Sequence, residues 1–248
     1  MIQRRMRDES NPRGNPPPDD KIIQFCVLIN NLDIACEYNA RIIATASAEL
    51  SDLFPFGDDA RRVAGALKAC ENALAAKAGE LIGDAVNILF NQVIKPRLRP
   101  MLADAWRDVE YIGVSEEDPE AADVVRERFT TGWDALMVGL RRILTEKTWT
   151  RVVGVTAGYF AKRLESRIWA WSGRCDELGA IRLERDVQGM VGVVVRTGKY
   201  GVREYFKRPL EICMYANMEE EEEEGDEDED EGGLTKEEKR RAREMVVR

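Results

Sequence analysis

The sequence predicts an all-α protein built of elongated helical bundles, and three observations carry this prediction. Apolar residues recur at steps of three and four through most of the chain, the spacing of one face of an α-helix. No two segments alternate apolar and polar residues as partner strands would. The longest apolar stripe runs through residues 58–95, where many alanines favour a helix. At about 1.5 Å per residue that helix is on the order of 50 Å long, so several other helices have to bury it.

The first half of the chain predicts two long helices. Residues 1–20 are expected to be a disordered N-terminal arm, because proline and charged residues dominate them. A helix from about Asp20 to Leu53 follows, ended by Pro55 and Gly57. Its predicted buried stripe is Ile23, Val27, Asn31, Ile34, Tyr38, Ile42 and Ala46.

The long helix 58–95 carries the most regular stripe. We expect Pro96 and Pro100 to kink or restart it. The predicted stripe comprises Val63, Leu67, Cys70, Leu74, Leu81, Ala85, Ile88, Leu89 and Val93.

The second half predicts shorter helices separated by polar turns. Pro209 is expected to kink the helix that contains it, and Thr235 with Glu238 forms the capping-box pattern of a last helix. The predicted helices cover about 119–145, 147–172, 179–197, 202–218 and 234–247. Two helical domains result: a bundle over 21–145 with the long helix 58–95, and a smaller C-terminal domain over 147–248 that contains a disordered acidic loop, 219–233.

Composition excludes several classes of function. Twelve of the acidic residues lie in 219–231, so the net charge of −9 leaves the rest of the chain at +3, and no basic field marks a nucleic-acid binder. The absence of histidine removes Ser-His-Asp and Cys-His catalysis and imidazole metal sites. Five scattered cysteines suit reduced cytosolic residues. Neither a signal peptide nor a membrane-spanning run is recognisable in the sequence.

Motifs that resemble chemical sites each have a simpler explanation. Gly192 to Lys199 departs from a phosphate loop in glycine spacing, and Tyr200 stands where Ser or Thr should bind magnesium, so Gly198 is interpreted as a helix end. The six-glutamate run offers no fixed metal cage. Basic clusters that include Lys95 and Arg99, or Lys162 and Arg163, could meet anionic lipid, but isolated clusters are typical of solvated helix faces. No catalytic, cofactor-binding or metal-binding residue is predicted.

Five stretches carry a family pattern in sequence order: Phe25 to Asp33 with Leu-Ile-Asn-Asn-Leu-Asp, Ile94 to Pro100 with Ile-Lys-Pro, Leu178 to Leu183 with Leu-Gly-Ala-Ile, Phe206 to Arg208 leading to Asn217, and Leu234-Thr235 with Glu238 and Arg240. Together they resemble the C-terminal part of conserved oligomeric Golgi complex subunit 4. The resemblance covers about Lys21 to Arg248. Five positions differ from the family pattern: Gln188, Pro209, Lys236, Lys239 and Arg243.

The resemblance implies helical bundles of the vesicle-tethering helical-rod type. Such proteins are non-catalytic subunits that capture vesicles for retrograde Golgi transport and thereby maintain Golgi glycosylation. They are peripheral on the cytosolic face of the Golgi, contact other tethering-complex subunits and Golgi SNAREs, and reach the membrane only through partners. Family members are longer, so the chain is expected to hold the C-terminal domains alone.

The same resemblance places Arg208 and Glu238 at positions expected to form a structural ion pair. That pair would fasten the last helix across the acidic loop. An alternative function stays open: a free-standing helical adaptor that binds basic partners through the acidic loop. Deletion of 219–231 discriminates the two functions.

Overall fold

The computed structural model describes residues 19–54, 58–113, 123–198, 200–218 and 233–247. Over these residues the regular structure is helical, apart from one isolated bridge between Tyr111 and Cys175. The predicted all-α class is confirmed. The predicted disordered arm lies outside the described residues except for Asp19 and Asp20, which begin the first helix, and only Gly233 of the predicted acidic loop is described.

The helices follow the predicted order. A π-helical turn, Phe90–Ile94, lies between the second and third helices, and a 3₁₀ helix, Tyr200–Phe206, precedes the seventh. The α-helices are α1 Asp19–Leu53, α2 Asp59–Leu89, α3 Lys95–Ala105, α4 Val124–Ile143, α5 Glu146–Trp169, α6 Glu177–Thr197, α7 Lys207–Ala216 and α8 Lys236–Arg243.

The chain forms two compact units, and each draws on separate stretches of sequence. The first unit comprises 1–93 and 139–152, and the second comprises 94–138 and 153–248. The division of the chain into domains 21–145 and 147–248 stays a prediction.

In the first unit α1 packs against α2, but not with the predicted face of α1. Ile34, Tyr38 and Ile42 of the predicted stripe are exposed, with Ile42 at 63%. The stripe prediction is wrong because the first turns of α1 are apolar on several sides, so helical spacing alone fits more than one face. The residues that α1 buries are Ile22, Phe25, Cys26, Ile29, Asp33 and Leu50.

The predicted stripe of the long helix is correct only towards its C-terminal end. Cys70, Leu74 and Leu81 are exposed, whereas Ala85, Leu89 and Val93 are buried. The helix does not stop at the prolines, because the π-helical turn comes first and α3 then contains both Pro96 and Pro100. Proline lacks an N–H, so each proline removes one donor from the helical hydrogen-bond ladder, and the wider π turn lies where the first is removed.

The second unit is built around an aromatic cluster. Phe129 and Trp133 of α4 stack with ring centroids 5.6 Å apart, and Phe129 stacks on Phe160 of α5 at 5.1 Å. Phe206 meets Phe160 edge-on at 5.5 Å, which brings the end of the 3₁₀ helix into the core. Aromatic pairs at such distances add to the stabilisation that burial provides. Arg208 therefore follows two residues after a core anchor, and its position is fixed.

Candidate functional site

Arg208, at the start of α7, joins three helices through one guanidinium group. Its Nη2 donates to Glu238 Oε1 of α8 at 2.7 Å and to Glu165 Oε1 of α5 at 2.9 Å. Its Nη1 donates to the Gly233 carbonyl oxygen at 3.1 Å. The side chains of Arg208 and Glu238 are each 32% exposed, so water screens the pair only in part. The structure thus brings together the two residues named from the sequence and adds Glu165.

The contacts around Arg208 shift the pKa values in opposite directions. Hydrogen bonds to Glu165 and then to Glu238 raise the pKa of Arg208 above its usual value. Hydrogen bonds from Arg208 and then from the Thr235 backbone lower the pKa of Glu238 to about 2. Both shifts favour the charged forms, so the cluster remains an ion-pair network through the neutral pH range.

Local hydrogen bonds position Glu238 for this contact. Thr235 is the N-cap of α8: its Oγ1 accepts from the Glu238 N–H at 3.3 Å, and its own N–H donates to Glu238 Oε2 at 2.9 Å. The predicted capping box is confirmed. The Leu234 N–H donates to Glu211 Oε2 of α7 at 2.9 Å, which ties the entry of α8 to its neighbour. The carboxylate of Glu238 therefore serves the helix end and Arg208 together.

The residues after α8 are tied to the turn between α5 and α6. The Gly173 N–H donates to the Met245 carbonyl oxygen at 2.9 Å, and the Val247 N–H donates to the Cys175 carbonyl oxygen at 2.8 Å. Met245 is fully buried. Arg243, which departs from the family pattern, lies over the Tyr215 ring at 5.5 Å. Its guanidinium covers an aromatic surface there, so the departure is compatible with a docked helix.

The Leu-Ile-Asn-Asn-Leu-Asp stretch of α1 fastens the turn between α4 and α5 in the first unit. Asn30 Nδ2 donates to the Ile143 carbonyl oxygen, and Asn30 Oδ1 accepts from the Thr145 N–H at 3.0 Å. Asp33, only 2% exposed, accepts from Thr145 Oγ1 at 2.8 Å and forms an ion pair with Lys147 Nζ at 3.3 Å. The asparagine and aspartate therefore satisfy the polar groups of a helix end.

A buried polar chain links the α3 end to α6 in the second unit. Trp106 Nε1 donates to Tyr111 Oη at 2.9 Å, and the Tyr111 hydroxyl donates to Asp186 Oδ2 at 2.7 Å. Burial is the main cause that raises the pKa of Asp186 to about 6. Burial, with Asp186 beside it, also raises the pKa of Tyr111.

The Leu-Gly-Ala-Ile stretch begins α6 against a backbone carbonyl. Asp176 is the N-cap, and its Oδ1 accepts from the Gly179 N–H at 2.7 Å. A Cβ on Gly179 would lie 1.8 Å from the Tyr111 carbonyl oxygen. Glycine is required here because no side chain fits between the helix start and that carbonyl.

The glycine-containing stretch at the end of α6 has the simpler explanation that the sequence favoured, whereas the six-glutamate run lies outside the described residues. Gly192 lies within α6 and Gly198 is the residue that caps it, as predicted. Among the described residues there is no group of three or more potential metal ligands of the Cys, Asp or Glu type. No helix over the described ranges is both long enough and apolar enough to cross a membrane.

Glu165 and Glu211 are partners of the terminal segment that the sequence does not predict. Neither belongs to a recognisable motif, and nothing in the surrounding sequence distinguishes either from the other glutamates of the chain. Glu165 is 43 residues from Arg208, so only the packing of α5 beside α7 brings the two together.

The described clusters define a class of protein: an all-α scaffold in which polar side chains at helix ends fasten one helix to another. The family model described as "Conserved oligomeric Golgi complex subunit 4, C-terminal" matches residues 25–241. The chain belongs to this family.

Curated relatives agree with the family match. The chain is 23% identical over 205 residues to conserved oligomeric Golgi complex subunit 4 of Arabidopsis thaliana, covering 79% of this chain and 26% of the relative. It is 22% identical over 226 residues to the Saccharomyces cerevisiae subunit, covering 79% and 26%. It is 20% identical over 212 residues to the Homo sapiens subunit, covering 84% and 27%. The chain thus spans about a quarter of the length of these relatives.

Proposed function

We propose that the chain acts as the C-terminal part of a Golgi vesicle-tethering subunit in retrograde intra-Golgi transport, and thereby supports Golgi glycosylation. The observation that carries the proposal is the family match over residues 25–241. The all-α architecture supports it, because packed helices leave outer faces that partner proteins can cover.

The proposed partners are other subunits of the Golgi tethering complex and Golgi SNAREs. The relatives' name, which describes a subunit of an oligomeric complex, supports the first group. The exposed apolar residues of α1, which include Ile34, Tyr38 and Ile42, offer a surface of the kind that protein partners cover. We place the protein on the cytosolic face of the Golgi, held peripherally through these partners and otherwise cytosolic.

The proposed mechanism is scaffolding without catalysis. The sequence contains no histidine, and its acidic pairs form no recognised acid–base set. Within this mechanism the contacts of Arg208 with Glu238 and Glu165 would hold the terminal helix against α5 and α7. A fixed terminal helix would keep the outer surface of the second unit in one arrangement for its partners.

Affinity purification of the tagged full chain tests this proposal. We expect other subunits of the oligomeric Golgi complex in the eluate, and we expect the tag alone to recover none. Golgi SNAREs should be enriched in the same eluate. Purified chain that recovers no Golgi tethering subunit at matched expression would contradict the proposal.

Deletion of 219–231 separates the proposal from the adaptor alternative. That deletion removes twelve acidic residues. If the chain is a tethering subunit, Golgi recruitment and subunit recovery should persist. If the acidic run is the binding element, capture of basic partners should disappear while the helical folding stays intact by circular dichroism.

A further inference from the structure

A groove in the second unit gathers three arginines around aromatic side chains. It lies between α3 and α5 and has a volume of about 320 Å³. The residues of each wall recur with every turn of the helix, at three or four positions from the preceding turn, which places them on one face of each helix. We call it the basic groove, and its lining includes Arg99, Leu102, Trp106, Tyr159, Arg163 and Arg167.

Among the described residues, no carboxylate offsets the positive charge of the basic groove. None of its lining residues is acidic. Over the part of the chain that the structure describes, none of the guanidinium groups of Arg99, Arg163 and Arg167 is paired with a carboxylate. In the sequence the basic residues near 95–99 and 162–167 are separate clusters, and the packing of α3 against α5 turns them into one site.

Aromatic rings hold two of these arginines, Arg163 and Arg167, and the neighbouring Lys95 in place. The Arg163 guanidinium lies 5.3 Å from the Tyr159 ring centroid, and its Nε donates to Tyr159 Oη at 3.0 Å. Lys95 Nζ lies 5.6 Å from the centroid of the same ring. The Arg167 guanidinium lies 5.8 Å from the ring centroid of Trp106, which is itself buried. A stacked guanidinium keeps edge N–H groups available to an anion and loses less freedom on binding.

We propose that the basic groove binds an acidic peptide segment of a partner protein, with a large apolar side chain between carboxylates. The apolar side chain would enter beside Leu102 and Trp106, and the carboxylates would meet Arg99 on one wall and Arg163 on the other. Arg, Trp and Tyr are the residue types that contribute most to binding at protein interfaces. A concave groove fits a peptide side chain, whereas a flat lipid surface cannot reach its floor. The inference goes beyond the Golgi role and does not depend on it.

Fluorescence anisotropy with a designed probe tests the groove. The probe is a fluorescein-labelled peptide in which leucine and phenylalanine are interspersed with glutamates. We expect saturable binding to the full chain and at least about tenfold weaker binding to the R163E/R167E variant, a loss of about 1.4 kcal/mol. R99E, on the opposite wall, should also weaken peptide binding. Because the Arg99 side chain is exposed, misfolding would be a poor explanation for that loss.

Matched controls decide the outcome. R61E/R62E changes net charge equally at an exposed site on α2, so it should bind like wild type. Each protein is also measured without residues 219–231, so that the chain's own carboxylates cannot mask the groove. Binding lost only in the groove variants supports the proposal. The proposal is overturned if the peptide does not bind with or without that segment, or if R61E/R62E loses as much affinity as the groove variants. It is also overturned if polyglutamate binds with equal affinity, or if phosphatidylserine vesicles bind and the peptide does not.

Discussion

Asn30 illustrates how single polar residues place helices in this chain. Its side chain accepts from the Thr145 N–H, 115 residues away, and so fixes the turn between α4 and α5. The capping residue Asp176 acts more locally on α6. The sequence predicts a local cap of this kind at Thr235, because a cap lies within three residues of its target. It cannot predict the distant kind, because any exposed turn presents the same N–H groups.

The close approach of Gly179 to the Tyr111 carbonyl oxygen predicts that an added methyl group is not tolerated there. Gly179→Ala should destabilise the protein by about 1–3 kcal/mol, because the new methyl group overlaps the Tyr111 carbonyl oxygen and α6 must shift. Urea unfolding followed by circular dichroism measures the loss. Gly192→Ala in the same helix is the control: nothing lies within 4 Å of its added Cβ, so it should stabilise by about 1 kcal/mol. Equal effects of the two substitutions would refute the close approach.

Asp186 predicts a pH dependence of stability. Burial raises its pKa from 3.8 to about 6, so between these values the folded state binds more protons than the unfolded state. Stability from this group is therefore greatest at low pH and falls as the pH rises through about 6. The free energy of unfolding of Asp186→Asn, measured relative to that of wild type, should therefore rise by up to about 3 kcal/mol from acid to neutral pH.

Urea unfolding at a series of pH values checks this expectation. Asp134→Asn, at an exposed position on α4, is the control and should follow wild type at every pH. A stability difference between Asp186→Asn and wild type that stays constant from pH 4 to pH 7 would show that the buried carboxylate is not the cause.

At the scale of the elements, α1 and the α2–α3 segment show which structural features apolar periodicity predicts and which it does not. Their existence and approximate ends are predicted because long apolar repeats, caps and breakers all agree. The buried face of α1 is not predicted, because apolar residues lie next to each other on different sides of the helix. Ile22 and Ile23 are one such pair, and Cys26 and Val27 are another. The packing of α2 against α1 selects among these faces. Continuation of the helix past Pro96 likewise depends on a π-helical turn that no sequence signal announced.

The docking of α8 leads to a prediction about Arg208. Arg208→Ala should cost about 1–3 kcal/mol and should raise amide hydrogen exchange across 236–243, because Glu165 and Glu238 lose their shared donor. The loss of stability should lie in the lower part of this range, because Arg208 and Glu238 are each about one-third exposed and water screens their interaction. Arg240→Ala is the control, because the Arg240–Glu244 pair is solvent-exposed on the same helix. Equal amide hydrogen exchange in both variants would show that the docking of α8 does not depend on Arg208.

The same ion pair predicts an acid-sensitive contribution. The pKa of Glu238 is lowered from 4.5 to about 2, so its stabilising effect is complete above pH 4.5 and is lost as the pH falls towards 2. In Arg208→Ala this acid-dependent part should shrink, because the largest cause of the shift is gone. Exchange rates across 236–243 measured from pH 5 downwards, corrected for the intrinsic pH effect, test the sign.

At the scale of the whole chain, the two compact units do not follow the order of the sequence. The second unit needs 94–138 as well as 153–248, and its aromatic cluster joins Phe129 and Trp133 to Phe160 and Phe206. A fragment of 147–248 lacks the α4 half of that cluster. We therefore expect it to show helical circular dichroism without the near-ultraviolet signal of packed aromatic rings, and to unfold without a sharp urea transition.

A matched fragment isolates the cause. The fragment 94–248 restores α4 and the four aromatic residues, and should recover both the near-ultraviolet signal and a cooperative transition. Trp133→Leu in that fragment should weaken the transition, because the indole also donates to Thr197 Oγ1 at 2.8 Å and thereby joins α4 to α6. Cooperative unfolding of 147–248 alone would instead confirm the domain boundary that the sequence predicts near residue 146. The two fragments thus decide whether continuity along the chain or closure of the aromatic cluster defines the folding unit.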